Sequence, residues 1–359
     1  MTDEDSVSTP GRGSCTLPGF SASDRFTEGL SLKEFRYYKA HSEARILLRQ
    51  ILDQSGQYYG RQLQLMDIIL SKRKTVTVSI GAIVKAAIVA ILFILIALVF
   101  HTVIPSLIPG WYFIDWRWFF RPAVMEMLSG GNPYTIGGFY GPPWILLLLS
   151  PFALLSESLG GALIAIIALC SFGFVAFKMR AGPWILALFI FSPHVLKIAI
   201  NGNVDWMVAL GFLMPPQIGL FFVSAKPQLG FPVAIFWLYE SWRKGGITDL
   251  LKTSAPVSIA FLVSFALYGL WPLRFSIVAG EDWNIAPWPF LIPFGIILLV
   301  YALRHNQKRL AVLSAPFLTP YMVIFSLPVA MLGILPSQEW MLIAIAGLWL
   351  LEIVTGYPF

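Results

Sequence analysis

One stretch limits what this chain can fold into more than any other. Residues 76–100 read VTVSIGAIVKAAIVAILFILIALVF, almost wholly apolar, with Lys85 the lone charge. A helix of about 20 such residues crosses a hydrocarbon core of about 30 Å. The run therefore predicts a transmembrane helix, with Lys85 near one end or snorkelling to the surface. Further apolar runs follow near 142–155, 159–177, 183–200, 204–214, 216–225, 229–240, 253–270, 288–303, 310–334 and 339–354. Of the 359 residues, 57% are hydrophobic and 12% charged, about half the charged share of a soluble domain. The expectation is an all-α, polytopic membrane protein with about nine to eleven transmembrane helices.

Charge is gathered at the start. Residues 1–75 hold 11 Lys/Arg and 9 Asp/Glu, against 14 and 10 in the rest. The excess of +6 thus reads as loop charge and lipid-surface contact, not as a nucleic-acid footprint. Residues 1–30 are rich in Ser, Thr, Gly and Pro and are expected to be disordered. Residues 31–71 alternate charge with Leu and Ile, as amphipathic cytoplasmic helices would. Residues 1–75 then form a polar N-terminal segment and 76–359 the membrane domain. Met66, which opens the basic MDIILSKRKTVTV, is an alternative start. Lys72, Arg73 and Lys74 precede the first span and predict a cytoplasmic N-terminus in a multi-pass protein of the cell membrane. Arg243, Lys244, Arg304, Lys308 and Arg309 read as cytoplasmic too, whereas Lys178 and Arg180 fit simple alternation poorly. Cys15 lies in the polar tail and Cys170 in an apolar run, so no disulfide is expected. No CxxC, HExxH, glycine-rich phosphate loop or dinucleotide fingerprint is present, and no metal or cofactor is expected.

Residues 102–141 form a large first loop on the far side, rich in Trp, Phe and Tyr. Within it Asp115 lies among aromatics, with Arg117 and Arg121 two and six residues on. A carboxylate in such a water-poor surface can act as general base on a sugar hydroxyl, and arginines can fork onto a phosphate. The same pattern also suits an interfacial helix whose charges face water. Pro215-Pro216 splits a region into two runs too short to cross. Short helices at membrane depth survive only when buried in protein or lining a cavity, so 201–228 is expected to wall a site. There Asn201, Asn203 and Asp205 make a polar knot. Lys226 is costly at a span end unless paired; it binds a phosphate, or else it pairs with Asp205 or snorkels to the surface.

Ordered motifs add a resemblance. Asp115 in the first outer loop is followed by Gly130-Gly131-Asn132-Pro133-Tyr134, then by Tyr140-Gly141-Pro142-Pro143-Trp144 opening the second span. Later come Asn201-Gly202-Asn203, Lys226-Pro227-Gln228, Ser314-Ala315-Pro316 and Tyr321. In order and spacing, over about residues 76–335, this resembles glycosyltransferase family 87. The chain departs in being short, in a compressed 204–225 and in Gly-Asn where that family often has Gly-Gln.

The resemblance implies a GT-C-type helical bundle acting outside the cytoplasm. It implies transfer of a hexose, mannose first, from a polyprenyl-phosphate donor to a glycan or glycolipid acceptor, with membrane lipid and that donor as partners. Asp115 matches the position of the family's catalytic carboxylate, and would be the general base. Substrate-binding candidates are Arg117, Arg121, Tyr134, Tyr140, His194, Asn203, Lys226 and Gln228; Glu126 is the runner-up acid to Asp115, and Glu281-Asp282-Trp283 is a loop that either assists the acceptor or is simply solvated. The alternative from a different class is a multi-span transporter or flippase of a lipid-linked or polar solute, because discontinuous helices also mark transport sites.

Overall fold

The computed structural model describes residues 42–46, 80–108, 110–274 and 284–355. The chain divides into two compact units, Met1–Ser79 and Ile80–Phe359. In the first, residues 42–46 are helical. Expectations for the remaining tail, Cys15, Lys72–Lys74 and Glu281–Trp283 fall outside the described residues.

The second unit is helical, without strands among the described residues. Helix α1 (Ile80–Leu98) runs on through a π turn, Val99–Val103, into Ile104–Leu107. A π turn at Trp116–Phe120 leads into α2 (Arg121–Leu128). Then follow α3 (Pro143–Ala153), α4 (Glu157–Lys178), α5 (Pro183–Ile190), α6 (Pro193–Asn201), α7 (Asp205–Gly211), α8 (Pro216–Val223) and α9 (Pro227–Tyr268). The chain closes with α10 (Ile292–Arg304), α11 (Lys308–Leu318), α12 (Leu327–Met331) and α13 (Gln338–Thr355). Proline opens α3, α5, α6, α8 and α9. It starts a helix readily but cannot continue one from the preceding turn.

Where about nine to eleven transmembrane helices were expected, proline breaks several of the apolar runs into helices too short to cross. Three helical stretches are long and apolar enough to cross a membrane, Ala87–Leu107, Glu157–Lys178 and Pro227–Tyr268. A fourth arises if α5 and α6, bent by 48° at Ser192, are taken together. The other apolar runs fold as short helices. The long α9 is itself two arms. Gly245 (φ −145°) and Gly246 (φ 61°) leave helical geometry, and Ser241 Oγ lies 2.8 Å from Thr253 Oγ1. Twelve residues of continuous helix would separate these groups by about 18 Å. The arms therefore fold back on each other at the glycine pair.

Helix α4 is the interior element: 61% of its spanning window is buried, against 6% for Ala87–Leu107. Its inner face is rich in small residues, Gly160, Gly161, Ala162, Ala165 and Ala168. These let the first-loop aromatics Phe113 and Trp116 lie directly on it. Trp116 Nε1 donates to Glu157 O at 3.0 Å, fixing the start of α4 beside the first loop. Its 22 residues then carry Lys178 about 30 Å away. Helix α3 is only 11 residues long, and both its ends stay at the first-loop end, through Gly141 beside Ala225 and Glu157 on Trp116.

Candidate functional site

The site grows from the turn after α6. Gly202 adopts φ 67°, ψ 34°, the left-handed cap that glycine takes without penalty. The Gly202 and Asn203 amides donate to Ala199 O and Ile198 O at 3.1 and 3.0 Å. A Cβ at Gly202 would stand 2.6 Å from Trp116 Cβ, so the turn presses on the first loop with no room for a side chain. Phe113 N also donates to Ile200 O at 2.6 Å. Segments nearly 90 residues apart are thus bound backbone to backbone.

Asn203 uses both ends of its amide. Its Oδ1 accepts from Asp205 N at 3.2 Å at the start of α7, and its Nδ2 donates to Asp115 Oδ2 at 2.5 Å. The first contact fixes which end is oxygen, so the donor must face Asp115. Asp205 is wholly buried and ion-paired with Lys226, which precedes α9. The Lys226 ammonium also lies 5.6 Å from the Phe325 ring centre. Four polar side chains, Asp115, Asn203, Asp205 and Lys226, therefore meet from three distant parts of the chain.

Asp115 remains partly exposed. The protein packed round its carboxyl withdraws water and raises its pKa above the ordinary value, with Asp205 pushing the same way. Lys226 and the Asn203 hydrogen bond act against this. A carboxylate so held can take a proton more readily than one free in water. Lys226 is a cation near it, shared with a buried carboxylate. Among the described residues no three His, Cys, Asp or Glu side chains gather as a metal site.

Other candidates are placed differently. Arg117 is held by Glu157, Nε to Oε1 2.5 Å, and stacks 4.6 Å over the Tyr112 ring. Arg121 reaches Leu155 O at 3.5 Å while its Nε is buried without a hydrogen bond. Both arginines thus serve the α3–α4 corner. Tyr134 is buried, donates to Gly141 O at 2.8 Å and stacks on Trp271. Arg274 donates to its carbonyl. It staples the turn that includes the partly buried Tyr140. Glu126 packs against Gly131 in the Gly130-Gly131 turn. Gln228 Oε1 is buried without a hydrogen-bond partner. His194 lies inside the bundle, 3.6 Å from Glu352 Oε1.

Three contributors escaped the sequence reading. Glu157 and Phe325 are ordinary residues whose role depends on a neighbour. Glu352 did carry a signal: a lone acid inside an apolar helix, in step with Ile345 and Leu348. An apolar cavity of about 460 Å³ opens between α11, α12 and α13, lined by Leu313, Phe317, Met322, Leu327, Met331 and Leu348 among others. The Met322–Leu327 segment that lines it also carries Phe325 to Lys226. No family model, characterised protein or solved structure matches the chain.

Proposed function

We propose that this chain is a membrane glycosyltransferase of GT-C type, moving a hexose, mannose first, from a polyprenyl phosphate to an extracytoplasmic glycan or glycolipid. The observation that carries this reading is the held carboxylate of Asp115 beside Lys226. Asp115 takes the proton of an acceptor hydroxyl, whose oxygen attacks the anomeric carbon. The bond from that carbon to the phosphate oxygen breaks, and the polyprenyl phosphate leaves with the electron pair. A direct displacement inverts the anomeric centre. Lys226 offers positive charge where phosphate charge develops. The apolar cavity beside Phe325 gives a lipid chain a place near that cation.

Polarity within the fold supports the outward placement of the site. Lys226 opens the first arm of α9, and Arg243 and Lys244 close it, about 26 Å further on. Lys178, at the far end of α4, is separated from the first loop in the same way. With basic residues on the cytoplasmic side, Asp115 lies on the other.

The test is transfer from a radiolabelled polyprenyl-phosphate mannose by purified protein in lipid, with membrane extract as acceptor. Wild type is expected to turn over, and Asp115→Asn to lose about 10³-fold with its fold intact. Undiminished turnover by a folded Asp115→Asn removes the base assignment. A transporter is the second reading, favoured by the bent α5–α6 pair and the buried charges of α6. Solute uptake by proteoliposomes without a covalent product would establish it instead.

A further inference from the structure

Helix α13 buries one narrow stripe, Met341, Ile345 and Leu348, while Leu342, Ile343, Leu350 and Ile353 are exposed. Glu352 continues that stripe at the next helical step, with its side chain only 9% exposed. Both carboxylate oxygens accept from Lys197 Nζ, at 2.7 and 2.9 Å. Lys197 and His194 lie three residues apart on α6, hence on one face, and both are buried. Buried ion pairs are poor stabilisers, and their best-attested use is to fix one register among several.

What this register would set is the active turn. Five residues beyond Lys197, the same helix ends in the Gly202 cap that carries Asn203 to Asp115. The turn has no sideways freedom to absorb a rotation of α6, because Gly202 is pressed against Trp116. We propose that Glu352 is a positioning residue for the transfer reaction: by gripping Lys197 it fixes the rotation and height of α6 and so holds Asn203 against Asp115. The assignment rests on the glycosyl-transfer reading of the Asp115 site.

The role has a signature that mere loss of folded protein lacks. Asn203 favours the ionised form of Asp115, which faces Lys226 and Asp205 as its other charged neighbours. Releasing Asn203 moves the acid limb of the activity–pH profile to higher pH. The experiment compares full-length wild type, Glu352→Gln and the charge swap Lys197→Glu/Glu352→Lys in lipid, with Asn203→Ala as reference. Glu352→Gln is expected to lower kcat about 10²-fold, leave the donor KM unchanged and shift the acid limb as Asn203→Ala does. The swap is expected to restore both. Wild-type kcat and an unmoved limb in Glu352→Gln overturn the proposal. Where Glu352→Gln does not fold, the neutral pair Lys197→Met/Glu352→Leu carries the same comparison.

A second readout separates this proposal from the reaction itself. Cysteines at 115 and 203, with Cys15 and Cys170 replaced by serine, are bridged with a short bifunctional thiol reagent. Bridging is expected to slow several-fold when Glu352→Gln is added, and to recover in the swap. An equal rate overturns the positioning role. Slowed bridging, together with a wild-type protein that transfers no sugar, keeps that role and rejects the glycosyl-transfer reading.

Discussion

At Asp115, function and stability pull apart. Its folded pKa is raised, so between the ordinary value of about 3.9 and the raised one the native state binds more protons than the unfolded chain. Stability therefore falls as pH climbs through that window and stays lower above it. Asp115→Asn is neutral throughout and keeps an oxygen to accept from Asn203. Its thermal midpoint should match wild type near pH 4 and exceed it near pH 7; a constant gap would show that Asp115 is not titrating there. Tyr134 gives the opposite case, a residue that stacks and staples. Tyr134→Phe should cost about 1 kcal/mol in denaturant unfolding through the lost bond to Gly141, with the donor KM unmoved. Asp115, Asn203 and Lys226 were legible in the sequence because polar groups among apolar ones need partners. Tyr134 was open to either role in the sequence, since an aromatic beside glycine and proline looks the same whether it holds sugar or holds the turn; the structure shows it holding the turn.

At the scale of elements, apolar runs are visible in sequence but their lengths as helices are not. Hydropathy records that 142–155 is apolar; it does not record that Pro143 and the Leu155–Glu157 corner limit the helix to 11 residues. In α9 the runs 229–240 and 253–270 were already separate in the sequence, and Gly245 and Gly246 part the two arms between them. The wall of the site at 201–228 was legible, since Pro215-Pro216 cannot lie inside a full span. Its geometry depends on one residue. Gly202→Ala adds a Cβ at positive φ against Trp116, and should cost about 1–3 kcal/mol. Unfolding midpoint and transfer activity should drop together, whereas a normal midpoint would mean that the turn has slack.

Over the whole molecule, the arrangement of ends makes a simple prediction. Trp111 is exposed beside the first loop, and Lys244 is exposed at the glycine turn. In intact cells an impermeant thiol reagent should label Trp111→Cys at once, and Lys244→Cys only after permeabilisation. Labelling of both from one side would break the proposed orientation. The same layout has a consequence for how the protein is made. Lys197 and Glu352 are 155 residues apart in the chain, and synthesis at about 5–20 residues per second separates them by roughly ten to thirty seconds. Through that interval Lys197 has not yet met Glu352. The pair closes only after α13 has been made, so a chain cut short before Glu352 leaves that lysine without this acid, a difference that membrane quality control can recognise.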